Sequence, residues 1–493
     1  MLITETNKTY QASSNNGEAK IVLSAKNKAK EFSFLKKTRL RKLTSWNFGY
    51  LNQNQVLFSD KYPLVKIGTF LTRSKNAIKI QDSEFYKQVT IKLYGKGARL
   101  RDDILLSGKE IKTKSQFLVK EGQFLLSRID ARNGAFAIAT KEIDGAIVTN
   151  DFPVYDIDQN LINPNYFALL ISTKRFASYF QGLSSGTTNR QRVSENDFLN
   201  LEIPLPPIDS EDNNAITQKK LVADYNAKIL QAEQFEAKAK DLEKQIETYL
   251  LKELGIKIEQ TEKKDWQGFK FLQAANLKGL SRWDFPFLMN SIEMNSKFPI
   301  KKLAEFIDCF MKDDNGNSLR FESSKYSQQH FNYLGMENVD KNSGEVLNFS
   351  NVKGNKIKSQ TLRVPSNFII YGKLRPYLNK YWYNDTDLEN IICSSEFFAF
   401  NLRKNIDLHF FLIVLSSVIV QKQITNQTSG VRMPRINEEL FFNLEIPIPT
   451  IKIQTKIVKH INSLKSQIKE LKSDANDLRI TAKNDFESEL FES

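Results

Sequence analysis

One heptapeptide written twice constrains this chain more than any other feature. Asn200-Leu201-Glu202-Ile203-Pro204-Leu205-Pro206 returns as Asn443-Leu444-Glu445-Ile446-Pro447-Ile448-Pro449, with Glu445 lying 243 positions after Glu202. Agreement of this kind is far beyond chance, and an internal repeat decides the architecture before any single motif does. Ser185-Gly186 answers Ser429-Gly430, Arg192-Val193 answers Arg435-Ile436, and Thr149-Asn150-Asp151-Phe152 answers Ser394-Ser395-Glu396-Phe397, each within a residue or two of that offset. Phe124-Leu125-Leu126 matches Phe368-Ile369-Ile370, residues 43–48 match 280–285, and Tyr62-Pro63-Leu64 matches Phe298-Pro299-Ile300. The repeat thus spans roughly 39–250 against 277–493. Between the anchors the halves diverge, as in Tyr86 to Lys92 against His330 to Met336, which reads as one scaffold carrying two different faces.

Within a unit, short β-branched and aromatic stretches bounded by Gly, Asn and Asp read as strands: Gln88 to Leu93, Gln123 to Ser127 and Gly145 to Thr149. A helix is expected from about Asn165 to Phe180, with Phe167, Leu170, Ile171 and Phe176 on one stripe. Ser194 and Asn437 stand as N-cap residues before a short helical turn, and the Leu-Glu-Ile-Pro segment is extended because proline disfavours the α region in the residue before it. Each unit then closes in a long helical pattern. Ile457, Ile461, Leu464, Ile468, Leu471, Ala475, Leu478 and Ala482 step by four and three, a coiled-coil seam. Val222, Tyr225, Ile229, Ala232, Phe235, Ala239, Leu242, Ile246 and Tyr249 form the first seam, with one slip in spacing. Each helix would be roughly 50 Å long at 1.5 Å per residue. The expected fold class is α+β: two tandem units of mixed α/β structure, separated and followed by long helices that pair as an antiparallel coiled coil. Antiparallel pairing would hold the units apart at two ends of a rod, and parallel pairing would put them at one end. The division reads as a polar basic arm (1–38), unit one (39–210), a central helix (211–256), unit two (257–450) and a C-terminal helix (451–493).

Composition limits the partners. Lys+Arg 71 against Asp+Glu 57 gives a net charge of +14, a balance suited to a polyanion such as nucleic acid or an acidic membrane surface. Cys309 and Cys393, the two cysteines, build neither a disulfide framework nor a zinc cluster, so a reducing cytoplasm is the expected compartment. The N-terminus has no basic and apolar signal pattern, and the longest apolar run, Phe410 to Val420, is broken by Ser416 and Ser417 and too short to span a bilayer.

Catalytic patterns are weak throughout. Asn163-Pro164-Asn165-Tyr166 resembles the Asn-Pro-Pro-Tyr element of adenine amino-methyltransferases, but it lacks the second proline and no glycine-rich cofactor loop precedes it; a proline turn opening a helix explains it better. Gly95-Lys96-Gly97 is too short for a phosphate loop. Asp103, Glu110 and Lys112 contain the residue types of a metal-dependent nuclease, but these are common on any charged strand-turn. His330, His409 and His460 lie far apart, outside any ligand spacing, and no metal site is expected. No catalytic residue is assigned.

What remains is the basic, amide-rich character of the divergent segments. Lys92, Lys96, Arg99, Arg101, Arg128, Arg132 and Asn133 gather in the first unit, and Lys353, Lys356, Lys358, Lys373, Arg375, Tyr377, Asn379 and Lys380 in the second. Arg and Lys serve phosphates and guanine edges, and Asn bonds adenine, so these are candidate DNA contacts. Arg190, Arg192, Arg432 and Arg435, which follow the Ser-Gly pairs in both halves, read either as phosphate-positioning arginines or as parts of a structural turn.

Taken together, these residues carry a resemblance. Two tandem units, each closing with Ser-Gly, a spaced Arg-x-(Ile/Val), Leu-Glu-Ile-Pro-x-Pro and then Gln-x-Lys-(Ile/Leu)-Val, look like the specificity subunit of a type I restriction-modification system. Gln218 to Val222 and Gln454 to Val458 supply the last element, and Phe124 to Phe152 looks typical of that family's target-recognition domains. The resemblance implies a non-catalytic reader of double-stranded DNA, each unit binding one half of a bipartite asymmetric site and the helix pair setting the unread spacer. It further implies that the seam residues Val222, Tyr225, Ile229, Leu242, Ile246, Ile457, Ile461, Leu464, Ile468, Leu471 and Leu478 hold the helix pair and dock partners. Those partners would be two methyltransferase subunits bringing S-adenosylmethionine and restriction subunits bringing ATP and Mg, with no cofactor in this chain. Competing readings are the specificity subunit of a methylation-only or type II-like system, a stand-alone DNA adenine methyltransferase using Asn163 to Tyr166, and a coiled-coil scaffold whose charge is incidental.

Overall fold

The computed structural model describes residues 58–102, 105–174, 176–177, 192–212, 214–256, 295–427 and 433–491, and the backbone of short strands within 2–39 and at 184–185. The chain divides into two compact units, Met1–Glu233 with Ala475–Ser493, and Gln234–Asp474. The matched segments 43–48 and 280–285 lie outside the described residues.

In the first unit a four-stranded antiparallel sheet runs in the order Phe136–Ile138, Phe124–Leu126, Val154–Ile157, Leu71–Arg73. Phe124, Leu126 and Tyr155 pack against Tyr166, Phe167, Leu170 and Ile171 of the helix Pro164–Ile171 to form the main core. A three-stranded sheet, Ile147–Val148, Ser115–Leu118, Ala77–Lys79, backs a smaller cluster. The strands Leu64–Lys66 and Glu202–Pro204 pair antiparallel, so the repeated Pro63 and Leu-Glu-Ile-Pro motifs lie side by side. The polar segment read from sequence as an arm carries four antiparallel strands, Leu2–Glu5, Lys8–Asn15, Glu18–Ala25 and Lys37–Arg39.

The second unit repeats the plan by itself. Its first sheet has the corresponding order, Tyr381–Tyr383, Ile369–Gly372, Phe397–Leu402, Ile307–Phe310, and Ile300–Lys302 pairs with Glu445–Pro447. Register refines the sequence match. Phe124 faces Tyr155 while Ile369 faces Phe400, and Leu126 faces Phe136 while Tyr371 faces Tyr381. Phe124 therefore corresponds to Ile369, one residue on from Phe368, and in a strand one residue inverts which face is buried. The second sheet has five strands, Arg320–Phe321, Thr361–Arg363, Ile391–Ser394, His330–Leu334 and Ser350–Lys353. Its last two strands are where the sequences diverge most. His330–Leu334 runs parallel to Ile391–Ser394, and a lone parallel bridge between Gln88 and Ile147 marks the same place in the first unit.

The helix expected from about Asn165 to Phe180 is interrupted after Ile171 and turns helical again from Lys174, with residues 178–180 outside the described residues. Ser172 Oγ donates to Leu169 O (2.6 Å) and Thr173 Oγ1 to Leu170 O (2.8 Å), back-bonds that compete with the helix ladder. Phe167, Leu170, Ile171 and Phe176 are nevertheless all buried. The second unit breaks the same way: Ser416 and Ser417 bond to Ile413 O and Val414 O, separating the helices Leu408–Ser416 and Val418–Gln427.

Two long helices, Gln218–Leu254 and Ile451–Phe491, close both cores. Pairing is antiparallel in each unit. In the second, Glu253 meets Lys456 (3.2 Å) and Glu243 meets Lys472 (2.8 Å), so the partner number falls as the first rises. In the first, the rings of Tyr225 and Phe486 lie 6.3 Å apart and Lys228 pairs with Asp485. Ile457 and Ile461 are fully buried in the second core, and Leu221, Val222, Phe486 and Leu490 sit in the first. Each such side chain contributes about 1.5–3 kcal/mol by leaving water. Ile468 and Leu464 are also buried, while Tyr225, Ile229, Leu242, Ile246, Leu471 and Leu478 are half-buried along the seam.

The repeated glutamine locks each long helix to its own unit. Gln218 Oε1 accepts from Asn163 N (2.7 Å) and its Nε2 donates to Pro206 O (2.7 Å); Gln454 Oε1 accepts from Asp407 N (2.9 Å) and its Nε2 donates to Pro449 O (2.9 Å). Both amides are almost completely buried, and Asn163 and Asp407 are the N-caps of the corresponding domain helices. One side chain thus joins helix start, proline strand and domain helix.

Candidate nucleic-acid interface

The repeated arginine is built into the same cluster twice. Arg192 Nε and Nη2 donate to the two carboxylate oxygens of Asp151 at 3.0 and 3.1 Å, and Arg435 grips Glu396 at 3.0 and 2.9 Å. A second cation joins each pair through the backbone. Arg128 N donates to Asp151 O and Val193 N to Arg128 O; Lys373 N donates to Glu396 O and Ile436 N to Lys373 O. The hydrogen bonds from Arg435 hold the Glu396 carboxyl below its ordinary range, and those that Arg192 donates to Asp151 push Arg192 further up. These planar forks are the geometry in which carboxylate, or phosphate in its place, binds a guanidinium.

In the first unit a basic hairpin stands on this cluster's neighbouring loop. Strands Val89–Ile91 and Ala98–Leu100 carry exposed Lys92, Lys96, Arg99 and Arg101. Tyr94 N donates to Asn133 O and Gly95 N to Gly134 O, both at 2.8 Å, so the hairpin tip rests on the 3-10 turn Ala131–Asn133. Lys92, Lys96, Arg99, Arg128 and Asn133 are thereby brought together. Arg101 is tied to Gln88 Oε1 at 3.0 Å, and Asn133 Nδ2 reaches Asp130 at 3.4 Å. The Arg132 side chain and Arg190 lie outside the described residues, as does Arg432 in the second unit.

The second unit's candidates fall into two groups on separate elements. Lys353, Lys356 and Lys358 are exposed along the edge strand Ser350–Lys353 and the turn after it. Lys373, Arg375 and Tyr377 follow the strand Ile369–Gly372 beside a cleft of about 290 Å³ lined by Arg320, Gln360, Lys373, Ser395, Glu396 and Arg435. Burial draws the Lys373 ammonium below the usual lysine range, against the opposing pull of Glu396. Lys380 is also lowered by burial, and its Nζ donates to Met336 O. Asn379 leaves the set of base readers: it is 1% exposed, donates to Ser416 O (2.8 Å) and accepts from Gln421 Nε2 (3.0 Å). Its amide is consumed in holding a turn.

Residues 59–234 and 295–477 match the family model of the type I restriction modification DNA specificity domain, more than half of the chain. The chain belongs to this family. The type I restriction enzyme HindI specificity subunit of Haemophilus influenzae is 30% identical over 139 residues, which is 26% of this chain and 30% of that relative. The match therefore spans about a third of the relative's length. A chain from the solved assembly described as the structural basis underlying complex assembly and conformational transition of the type I R-M system superposes with a TM-score of 0.53 at 14% identity, covering 88% of this chain and 98% of the other. That likeness is one of fold. The HsdS subunit from Thermoanaerobacter tengcongensis aligns over 88% of this chain and 97% of its own, at 14% identity and a TM-score of 0.42.

For a specificity domain, the rejected catalytic patterns have structural explanations. Asn163 Oδ1 accepts from Asn165 N and Tyr166 N as an N-cap, Pro164 opens the helix, and fully buried Tyr166 donates its hydroxyl to Pro204 O (2.7 Å). The fully buried Tyr166 ring has no face open to a flipped base, and the motif here is a helix start. Glu110 reaches back to Ser107 N (3.3 Å), and Asp103 lies outside the described residues. Among the described residues no group of three or more His, Cys, Asp or Glu stands together as a metal site, and no helix is long and apolar enough to cross a membrane. The sequence reading missed Asp151 and Glu396 as partners of the repeated arginines. The signal was present: acid and base recur together in both halves of the repeat.

Proposed function

We propose that this specificity-family chain is the DNA-reading subunit of a type I restriction-modification complex, each unit reading one half of a bipartite, asymmetric site. The observation that carries the reading is duplication with divergence. Sheet order, glutamine lock and Arg-carboxylate cluster recur, whereas the basic loops are a hairpin in one unit and an edge strand with a turn in the other. Identical faces would suit a palindrome; different faces suit two unlike half-sites. The antiparallel helices then act as the spacer between halves and as the docking surface for two methyltransferase subunits, which supply S-adenosylmethionine and flip the target adenine. Restriction subunits with ATP and Mg complete the cutting complex. The test is single-molecule methylation mapping of the host genome with and without the gene. The expected result is a split adenine-methylated motif that disappears on deletion; an unchanged methylome contradicts the reading.

A further inference from the structure

The strand register makes residues 124–155 and 369–400 correspond one to one, so the 3-10 turns Ala131–Asn133 and Pro376–Leu378 are the same turn in the two units. Each closes on a left-handed residue, Gly134 (φ 69°) in one and Asn379 (φ 49°) in the other. In the second unit Tyr377 emerges from the middle of this turn, 52% exposed, above buried Pro376 and Asn379. In the first unit that position is Arg132, and a different segment delivers the aromatic. The hairpin tip lies on the turn, and its Tyr94 is 75% exposed. The approach is close: a Cβ on Gly134 would sit 3.1 Å from Tyr94 Cα.

Backbone that residues other than glycine seldom adopt holds Tyr94 directly and stands on both sides of Tyr377. Tyr94 itself has φ 61°, and Tyr377 is bracketed by Arg375 and Asn379, both at φ 49°. Such conformations persist only where the surroundings over-determine them, and they gather at binding sites. Cations flank each ring in sequence, Lys92 and Lys96 beside Tyr94 and Arg375 beside Tyr377. Two divergent segments have thus brought an exposed aromatic ring among cations to one scaffold position.

We propose that Tyr94 and Tyr377 are the aromatic base contacts of the two half-sites, each ring lying against base edges in a groove of the duplex while the neighbouring cations hold phosphates. The inference rests on the DNA-reading function proposed above. It is tested in the assembled complex with its methyltransferase subunits, on duplex carrying the mapped motif, using Tyr94→Ala, Tyr94→Phe, Tyr377→Ala and Tyr377→Phe over a salt series. Each alanine variant should bind roughly 5- to 100-fold more weakly, the cost of losing one base position in a duplex site. The slope of log affinity against log salt should not change, because no phosphate contact is lost. Phenylalanine variants should bind like wild type, and Tyr94→Ala should relax methylation specificity in one half of the motif and Tyr377→Ala in the other. Unchanged affinity in both alanine variants overturns the inference. So do phenylalanine variants as weak as alanine, which would make the hydroxyl a phosphate ligand. A wild-type complex that does not prefer its motif over other DNA sinks the DNA-reading function instead, so the two failures are distinguishable.

Discussion

Arg192 and Arg435 are already occupied by carboxylates, so any phosphate approaching them competes with Asp151 or Glu396. The pairs are about half-exposed, so water screens them and they add little to stability. Glu396 titrates below its unfolded value, so its contribution is complete above the ordinary carboxylate pKa of about 4.3 and is lost as the pH falls through the lowered value. Glu396→Gln should accordingly lower the melting temperature of the second unit slightly at pH 7, with the wild-type and variant curves converging below pH ~4. A difference that stays constant from pH 7 to 3 would show that the carboxylate charge is not what stabilises the cluster. Not all of this was legible in the sequence. Arg435 and Glu396 are both repeat positions, but a separation of 39 positions hid their partnership. Asn379 looked like an adenine reader because composition does not reveal burial, and Tyr94 was passed over because its exposure depends on a turn from another segment.

At the scale of elements, the repeated Gln-x-Lys motif was visible as a pattern but not as a mechanism. Gln218 and Gln454 each accept from a part-buried backbone N–H and donate to a buried carbonyl of the same unit. Gln454→Ala should destabilise the second unit by about 2–3 kcal/mol in denaturant unfolding, whereas exposed Gln467→Ala on the same helix should stay within about 0.5 kcal/mol. Equal effects would mean the lock is not stabilising. The long helices were the most legible elements, since the four-and-three spacing of Ile457, Ile461, Leu464 and Ile468 requires a buried seam and all four are buried. Apolar periodicity running through Phe176 did not show the break at Ser172 and Thr173, whose hydroxyls bond back to the ladder before the chain turns helical again at Lys174.

For the whole molecule, the 243-residue offset did more than composition. A charge of +14 alone names any polyanion. The repeat instead demanded a scaffold used twice, and the two sheets with matching strand order are that scaffold. Where the halves part company, the parallel pairing of His330–Leu334 with Ile391–Ser394 shrinks in the first unit to the Gln88–Ile147 bridge, and the chain there continues into a basic hairpin seated on the Ala131–Asn133 turn, a difference no periodicity could foretell. The central claim is that the two units read independent halves of one site. It is tested most directly by replacing residues 59–212 with the corresponding segment of another family member and mapping genomic adenine methylation in cells carrying the assembled complex. One half of the motif should change while the other half is retained. A change in both halves, or in neither, would contradict it.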